Sequence, residues 1–345
     1  NIYLTDVCDL RCPYCFANEF VNHSANEISM ENFQRALDFI LRDGTCRNVG
    51  LIGGEPTLHA HFQEILQRLI ADPRVELATV YTNGVNLQAF YQELAHPKFR
   101  LLVNCNAPQD IGQAAFDKMR ENLDEMILRR YMAERIVLGI NLYRPDFDYG
   151  YFADLLVRYG MKRARFSITV PNVETMRNRN AHAYFLGMKP QLKRFFRDLL
   201  SQGVTPFYDC NKLPSCLISE GDRAEFQAFL PPAGSPPPGD AALASEAVRC
   251  SPVVDILQDL TAVRCFGLSE YTKVAIADFS GIQELKQYYI QQIDAFAYET
   301  AYAKRCLSCR KRQNLTCMGG CLAFKIEDIL KVRAYAQSLM EEKES

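Results

Sequence analysis

Short apolar runs alternate with longer amphipathic segments along the first half of the chain. Each run has the length of a buried strand, and most are followed by a segment with helical periodicity. Strands that alternate with helices in this way predict βα units around a parallel sheet. We count about six units, which predicts a partial (βα)6 TIM-like barrel rather than the full eightfold one. The predicted strands are residues 2–4, 48–52, 75–80, 101–106, 136–142 and 164–170.

The helical segments are defined by apolar spacing and by caps. Ser29 is a good N-cap for a helix whose apolar positions recur at three- and four-residue intervals from Phe33 to Leu41. Further helices are predicted at 111–134 and 151–159, and the basic and aromatic run 177–197 predicts one or two more.

The last third of the chain has a different character. Residues 231–239 are rich in proline and glycine, which excludes a regular helix or strand and predicts an exposed loop. Residues 323–342 predict a closing helix. We therefore divide the chain into a barrel, residues 1–205, and a small cysteine-rich cluster-binding domain, residues 206–345.

Composition narrows the class of protein. The chain has 345 residues, 48% of them apolar, and a formal net charge of −2, so charge gives no case for nucleic acid as a partner. No apolar run reaches the ~18 residues of a membrane span, and no signal peptide is visible. We expect a cytoplasmic protein with no membrane partner. Thirteen cysteines in such a chain favour metal binding over disulfides.

Three of these cysteines stand close together after the first predicted strand. Cys8, Cys12 and Cys15 have the spacing C-x3-C-x2-C, and three thiolates in one tight loop can bind three corners of a cubic iron–sulfur cluster. The fourth iron is then open to a small-molecule ligand. The alternative is a zinc knuckle that lacks one ligand.

A glycine turn follows the second predicted strand. Gly53 and Gly54 allow a close approach of the backbone to a ligand, and Glu55 can accept hydrogen bonds from an ammonium group. The alternative is an ordinary strand-to-helix turn. Strand ends in a barrel of this kind carry its chemistry. Polar candidates at these ends are Asn83, Asn104, Asn106, Asn141 and Ser167, each of which could instead cap the following helix.

Eight cysteines in the last third form a second metal-binding set. Cys46 and Cys105 lie alone beside apolar segments and are interpreted as core residues. Eight thiolates are enough for two four-iron clusters, whereas a zinc ribbon is the alternative for the final run of four. The eight are Cys210, Cys216, Cys250, Cys265, Cys306, Cys309, Cys317 and Cys321.

The first cysteine motif, with Phe16 after Cys15, resembles the signature of radical S-adenosylmethionine (radical SAM) enzymes. The resemblance implies a [4Fe-4S] cluster on Cys8, Cys12 and Cys15 that reductively cleaves SAM to a 5′-deoxyadenosyl radical, which abstracts hydrogen from the substrate. It also implies cofactor-binding roles for a set of barrel residues. These residues are Phe16 of the cysteine motif, the GGEP motif Gly53, Gly54, Glu55 and Pro56, and the strand-end residues Thr82, Asn83, Asn106 and Ser167.

The last third resembles the SPASM extension of that family, which holds one or two auxiliary [4Fe-4S] clusters. The glycine before Cys265 is absent, the spacing before Cys317 is seven residues rather than five, and no cysteine follows Cys321. By analogy, Cys250, Cys265, Cys321 and either Cys210 or Cys216 hold the first auxiliary cluster, and Cys306, Cys309 and Cys317 hold the second. The second cluster is then one ligand short, unless Cys210 or Cys216 supplies it.

SPASM enzymes mostly modify peptides or proteins, so the resemblance implies a peptide substrate and an electron donor such as flavodoxin or ferredoxin. The expected reaction is an intramolecular C–C or thioether cross-link in a ribosomally synthesised precursor peptide. Sulfatase maturation and dehydrogenation of a small alcohol are the alternatives within the class. A non-catalytic zinc or iron–sulfur scaffold protein is the alternative outside it.

Overall fold

The structure is a computed structural model of the chain. It describes residues 1–15, 17, 20–169, 181–207, 213–214, 216–217, 221–222, 250–269, 271–301 and 303–344. Phe16, Cys210 and the predicted loop 231–239 lie outside the described residues.

Parallel strands that follow one another in the chain form the centre of the fold. Their spatial order is the chain order from β1 to β6, and the pairs from β1–β2 to β4–β5 are parallel. This is the arrangement that successive βα units produce, and it confirms the predicted mixed α/β fold with a parallel sheet. The strands are β1 (Ile2–Tyr3), β2 (Asn48–Ile52), β3 (Leu77–Thr82), β4 (Phe99–Asn104), β5 (Ile136–Leu142) and β6 (Arg163–Ile168).

Helices occupy the connections between these strands. Ser29 caps the first helix as predicted, because its hydroxyl accepts a hydrogen bond from the Asn32 N–H at 3.1 Å. The predicted helix 111–134 is interrupted: an α-helix ends at Leu123 and a π-helical turn, Asp124–Arg129, follows it. The helices are α1 (Met30–Leu41), α2 (Phe62–Ala71), α3 (Tyr91–Leu94), α4 (Pro108–Ile111), α5 (Gln113–Leu123), α6 (Gly150–Arg158), α7 (Ala181–Ser201), α8 (Ile282–Gln292), α9 (Arg310–Gln313) and α10 (Ile326–Glu344).

Three short strands from the last third of the chain extend the same sheet beyond β1. In chain order they follow β7 (Thr205–Phe207), and they are β8 (Asp255–Ile256), β9 (Thr261–Val263) and β10 (Val274–Ala275). β8 pairs in parallel with β1, and β9 and β10 continue outward as antiparallel strands. No sequence pattern predicts this extension.

The chain divides into two compact units. The first comprises Asn1–Asn141, Asp148–Phe166 and Val253–Leu285, and the second comprises Leu142–Phe147, Ser167–Pro252 and Lys286–Ser345. The predicted domain boundary at residue 205 remains a prediction.

The core of the first unit lies between the sheet and its helices. Apolar side chains of α1 and α2, among them Phe33 and Phe62, are completely buried. Cys105 is buried as predicted, whereas Cys46 is only half-buried and its thiol donates to the Asn48 carbonyl. The interpretation of Cys46 as a core residue is therefore wrong. In the part of the chain that the structure describes, no helix is long and apolar enough to cross a membrane.

Candidate metal and cofactor site

The loop that carries Cys8, Cys12 and Cys15 follows β1 directly. Hydrogen bonds fix its shape: the Cys8 N–H donates to Asn22 Oδ1 at 2.9 Å, and the Cys15 N–H donates to the Cys12 carbonyl at 3.1 Å. All three thiols are half-buried. The loop is thus an ordered element at the carboxyl end of a strand, where chemistry is expected in a barrel of this type.

The electrostatics of the three thiols indicate that they share one environment. Burial raises the pKa of Cys8 to about 12, and the charges of Glu55, Asp9 and Cys15 add to the effect. Burial also raises the pKa of Cys12 to about 12, with the thiolates of Cys15 and Cys8 as the next causes. Thiolates that raise one another's pKa need a cation to hold them deprotonated, and a metal centre supplies that positive charge.

The glycine turn is joined to this loop through the backbone. The Gly54 N–H donates to the Thr5 carbonyl at 2.7 Å, and the Glu55 N–H donates to the Val7 carbonyl at 2.8 Å. A Cβ atom on Gly54 would lie 2.4 Å from the Val7 carbonyl oxygen, a distance that real side chains do not tolerate. From the sequence, the close backbone approach at Gly53 and Gly54 is expected to be toward a ligand. The neighbour in the structure is the loop that carries the cysteines.

Glu55 is the central polar group of the turn and is only 1% exposed. Its Oε1 accepts hydrogen bonds from the Thr57 N–H, the Thr57 hydroxyl and the Thr82 hydroxyl, the last two at 2.7 Å. Oε2 accepts from the Asn83 N–H at 2.7 Å. Burial raises the pKa of Glu55, and these four donors oppose the shift. Oε1 is fully occupied, so Oε2 is the oxygen that retains acceptor capacity.

Asn83 holds the end of β3 against the cysteine loop. Its Nδ2 donates to Asp9 Oδ1 at 2.8 Å, and Asn86 Nδ2 donates to Asp9 Oδ2 at 2.7 Å. Its Oδ1 accepts from the Val85 N–H at 2.9 Å. The side chain of Asn83 is therefore engaged within the protein. Asp9, which the sequence analysis missed, bridges the cysteine loop and the turn after β3.

Asn106 also contacts the cysteine loop. It is 4% exposed, and its Oδ1 accepts a hydrogen bond from the Tyr14 hydroxyl. The same hydroxyl contacts Cys12 and lowers its pKa, against the larger effect of burial. Tyr14 lies inside the cysteine motif, but the motif gave no signal for this role.

The other predicted residues are placed as follows. Pro56 opens a short 3₁₀ helix, Pro56–Leu58, for which Glu55 is the N-cap. Ser167 is buried on β6 and falls in the second unit. Asn141 accepts a hydrogen bond from Arg165 at 2.7 Å, and Asn104 Oδ1 is buried without a hydrogen-bond partner among the described residues.

The late cysteines are divided between the two units. Cys265 belongs to the first unit, and Cys210 lies outside the described residues. Every described cysteine is a free thiol. No group of three or more His, Cys, Asp or Glu side chains among the described residues is close enough to hold one metal ion. That finding concerns a single-ion site, whereas a four-iron cluster binds each thiolate through a different iron. The remaining late cysteines, all in the second unit, are Cys216, Cys250, Cys306, Cys309, Cys317 and Cys321.

Three cysteines in one loop at the carboxyl end of a parallel strand are the arrangement expected of a protein that holds an iron–sulfur cluster. Residues 2–144 match the family described as the Radical SAM superfamily. Over these residues the chain is similar to that superfamily.

Similar proteins of known name cover parts of the chain. Molybdenum cofactor biosynthesis protein 1 of Drosophila melanogaster is 31% identical over 42% of this chain and 25% of its own length. GTP 3′,8-cyclase of Aeromonas hydrophila is 32% identical over 26% of this chain and 27% of its own length. The chain thus spans about a quarter of the curated relatives that it matches.

A solved structure is similar over nearly the whole chain. SuiB of Streptococcus suis, crystallised with S-adenosylmethionine, is 16% identical, with a TM-score of 0.57 over 93% of this chain and 72% of that one. A second SuiB structure contains its precursor peptide SuiA. At this identity the likeness establishes the fold.

The residues present fit the cofactors of the superfamily, which are SAM and a [4Fe-4S] cluster. Three thiols at the end of β1 match the three protein ligands of an open-site cluster. Beside them, a buried carboxylate keeps one oxygen able to accept a hydrogen bond, as the amino group of a bound SAM requires.

Proposed function

We propose that the protein is a radical SAM enzyme that takes hydrogen from a peptide substrate and forms an intramolecular cross-link in it. The observation that carries the proposal is the likeness to SuiB over 93% of the chain, because SuiB was crystallised with a precursor peptide. The cysteine-rich last third supports it, since auxiliary clusters suit an oxidative reaction. The precursor would be ribosomally made, and the cross-link a C–C or thioether bond.

In this proposal Cys8, Cys12 and Cys15 hold three irons of a [4Fe-4S] cluster and leave the fourth iron to SAM. The cluster, when bound, supplies the electron for reductive cleavage of SAM. The protein positions the cluster ligands relative to the SAM-binding turn. Backbone hydrogen bonds from Gly54 and Glu55 to the cysteine loop fix the distance between the ligands and the SAM-binding turn.

Glu55 is proposed to bind the amino group of SAM through Oε2. Hydrogen bonds from Thr57 and Thr82 hold Oε1 in place, so the carboxylate does not turn when SAM enters. A preorganised charged acceptor of this kind loses little conformational entropy on binding. Phe16, Pro56, Asn106 and Ser167 remain proposed contacts of the rest of SAM.

The late cysteines are proposed to hold auxiliary [4Fe-4S] clusters. Formation of a cross-link removes two hydrogens from the peptide. One leaves as a hydrogen atom to the deoxyadenosyl group, and the other leaves as a proton with an electron. An auxiliary cluster can accept that electron, or it can ligate the peptide directly. A flavodoxin or ferredoxin would supply the electron for SAM cleavage.

The test uses the anaerobically reconstituted chain with SAM, dithionite and a uniformly deuterated peptide encoded beside its gene. We expect deuterium in 5′-deoxyadenosine. The peptide should lose two deuterium atoms if a C–C bond forms, or one deuterium and one solvent-exchanged thiol hydrogen if a thioether forms. The Cys8→Ala variant serves as the inactive control. An unchanged peptide together with unlabelled 5′-deoxyadenosine would contradict the proposed substrate class.

Cyclisation of a nucleotide is the second candidate. Identities of 31% and 32% to a molybdenum cofactor biosynthesis protein and a GTP 3′,8-cyclase favour it, although both matches cover less than half of the chain. Deuterated GTP in the same assay separates the two. Label transfer from GTP, with none from the peptide, would select the nucleotide.

A further inference from the structure

Cys216 lies beside the segment that begins the final cysteine run. Arg305 Nη2 donates a hydrogen bond to Cys216 Sγ at 2.9 Å, although 89 positions separate the two residues in the chain. Arg305 immediately precedes Cys306 in the short helical turn Lys304–Cys306. The fold therefore brings the Cys216 thiol to the start of this run.

Backbone hydrogen bonds shape the final cysteine run around the short helix α9. The Cys309 N–H donates to the Cys306 carbonyl at 3.2 Å, and α9 begins directly after Cys309. After that helix the Cys317 N–H donates to the Lys311 carbonyl at 3.1 Å. The Gly319 N–H then donates to Cys317 Sγ at 3.3 Å. These bonds gather Cys306, Cys309 and Cys317 around α9.

Cys216 also lies within electrostatic range of two thiols of the run, those of Cys317 and Cys306. The buried Lys325 lies within range of the same two thiols. Two cationic side chains, Arg305 and Lys325, thus lie near this group of thiols.

We propose that Cys216, Cys306, Cys309 and Cys317 are the four ligands of one auxiliary cluster. Cys216 would take the place of the cysteine that the SPASM pattern has after Cys321, because residues 322–345 contain no cysteine. Arg305 would then donate an N–H···S hydrogen bond to a ligand of the cluster, a contact that tunes its potential. The proposal rests on the proposed function, because it needs iron in the last third of the chain.

The assignment gives the second auxiliary cluster four thiolates. The SPASM analogy alone gives it three, unless Cys210 or Cys216 supplies the fourth.

The test is the iron content and the electron paramagnetic resonance (EPR) spectrum of the reduced protein in the Cys8/Cys12/Cys15→Ala background, which retains only the auxiliary clusters. Cys216→Ala and Cys309→Ala are each expected to alter the same EPR signal, and the double variant is expected to keep about four irons. Combining Cys216→Ala with Cys250→Ala is expected to alter the signals of both clusters. Cys46→Ala is the matched control, because it removes a half-buried thiol outside both sets.

The opposite pattern would overturn the assignment. If Cys216→Ala alters the signal that Cys250→Ala alters, or alters none, Cys216 does not belong with Cys306, Cys309 and Cys317. Should Cys216→Ala precipitate, Cys216→Ser keeps an oxygen ligand of similar size, and the signal that it shifts decides the same question. Absence of iron from the background variant would remove the auxiliary clusters altogether, which is a different failure from a wrong partition.

Discussion

The two oxygens of the Glu55 carboxylate have different surroundings. Oε1 accepts three hydrogen bonds from Thr57 and Thr82, whereas Oε2 accepts one, from the Asn83 N–H. The first oxygen orients the side chain, and the second is proposed to bind SAM. Sequence could predict the carboxylate from the Gly-Gly-Glu turn, but only the structure divides its oxygens between these tasks.

We expect Glu55→Gln to weaken SAM binding by tenfold or more. A hydrogen bond to a charged group contributes about 1.5–3 kcal/mol, and the amide that replaces the carboxylate carries no charge and only one acceptor oxygen. Isothermal titration of the reconstituted protein with SAM measures the effect. The control is Thr57→Val, which removes a donor from Oε1 only. If Thr57→Val weakened SAM binding as much as Glu55→Gln, the two oxygens would not have separate roles.

Asp9 is an exposed residue of the cysteine loop. Its carboxylate accepts hydrogen bonds from two amide side chains, Asn83 and Asn86, in the turn after β3. We expect Asp9→Ala to slow SAM cleavage about fivefold, corresponding to ~1 kcal/mol, because the cysteine loop loses its bridge to that turn. Iron content should not change, since the three thiols remain. Asp9→Asn keeps one acceptor oxygen and should lose less. A rate unchanged in Asp9→Ala would exclude a positioning role.

At the scale of elements, the glycine turn and the cysteine loop form one unit. We expect Gly54→Ala to lose iron from the first site, because the new Cβ would collide with the Val7 carbonyl and displace the loop. Gly187→Ala in α7 is the matched control: its Cβ meets nothing within 4 Å, and alanine stabilises a helix relative to glycine by roughly 0.5–1 kcal/mol. Iron content and melting temperature are measured for both variants to test this. Full iron retention in Gly54→Ala would show that the loop can move without loss of its cluster.

The turn after α5 is tied to α6 by an ion pair. Arg158 contacts Asp124 at 2.7 Å, and its hydrogen bond, together with one from Tyr159, lowers the pKa of Asp124. A lowered carboxylate pKa contributes stability above the unfolded value, about 3.9, and that contribution is lost as the pH falls through the folded value. Arg158→Ala should therefore melt slightly below wild type at pH 7, and the difference should shrink below about pH 4. Melting curves across this range check the sign, and a difference that grew on acidification would contradict it.

Sequence could predict the elements whose patterns extend over several residues. The six strands β1 to β6 lie within two or three residues of their predicted positions, because buried parallel strands are continuous apolar runs. The strands β8, β9 and β10 are only two or three residues long, too short for any periodicity. β8 pairs with β1 through Ile2 and Ile256, a long-range contact that no local sequence pattern predicts.

At the scale of the whole molecule, spacing predicts cysteine sets only when their members are close in sequence. Cys8, Cys12 and Cys15 stand in one loop, and the structure adds only their shared environment. Cys216 and Cys306 are far apart in the chain, and a hydrogen bond from Arg305 is what associates them. The resemblance to the SPASM pattern therefore predicts the late cysteines and a partition of most of them, but it leaves the cluster of Cys216 open.

The most direct measurement is the amount of 5′-deoxyadenosine formed from SAM and dithionite by the anaerobically reconstituted wild type and by the Cys8/Cys12/Cys15→Ala variant. We predict product from wild type, none from the variant, and a difference of about four irons per chain between them. Equal product from both proteins, or no product from wild type that holds its full iron, would contradict the proposal that these three cysteines form a SAM-cleaving site.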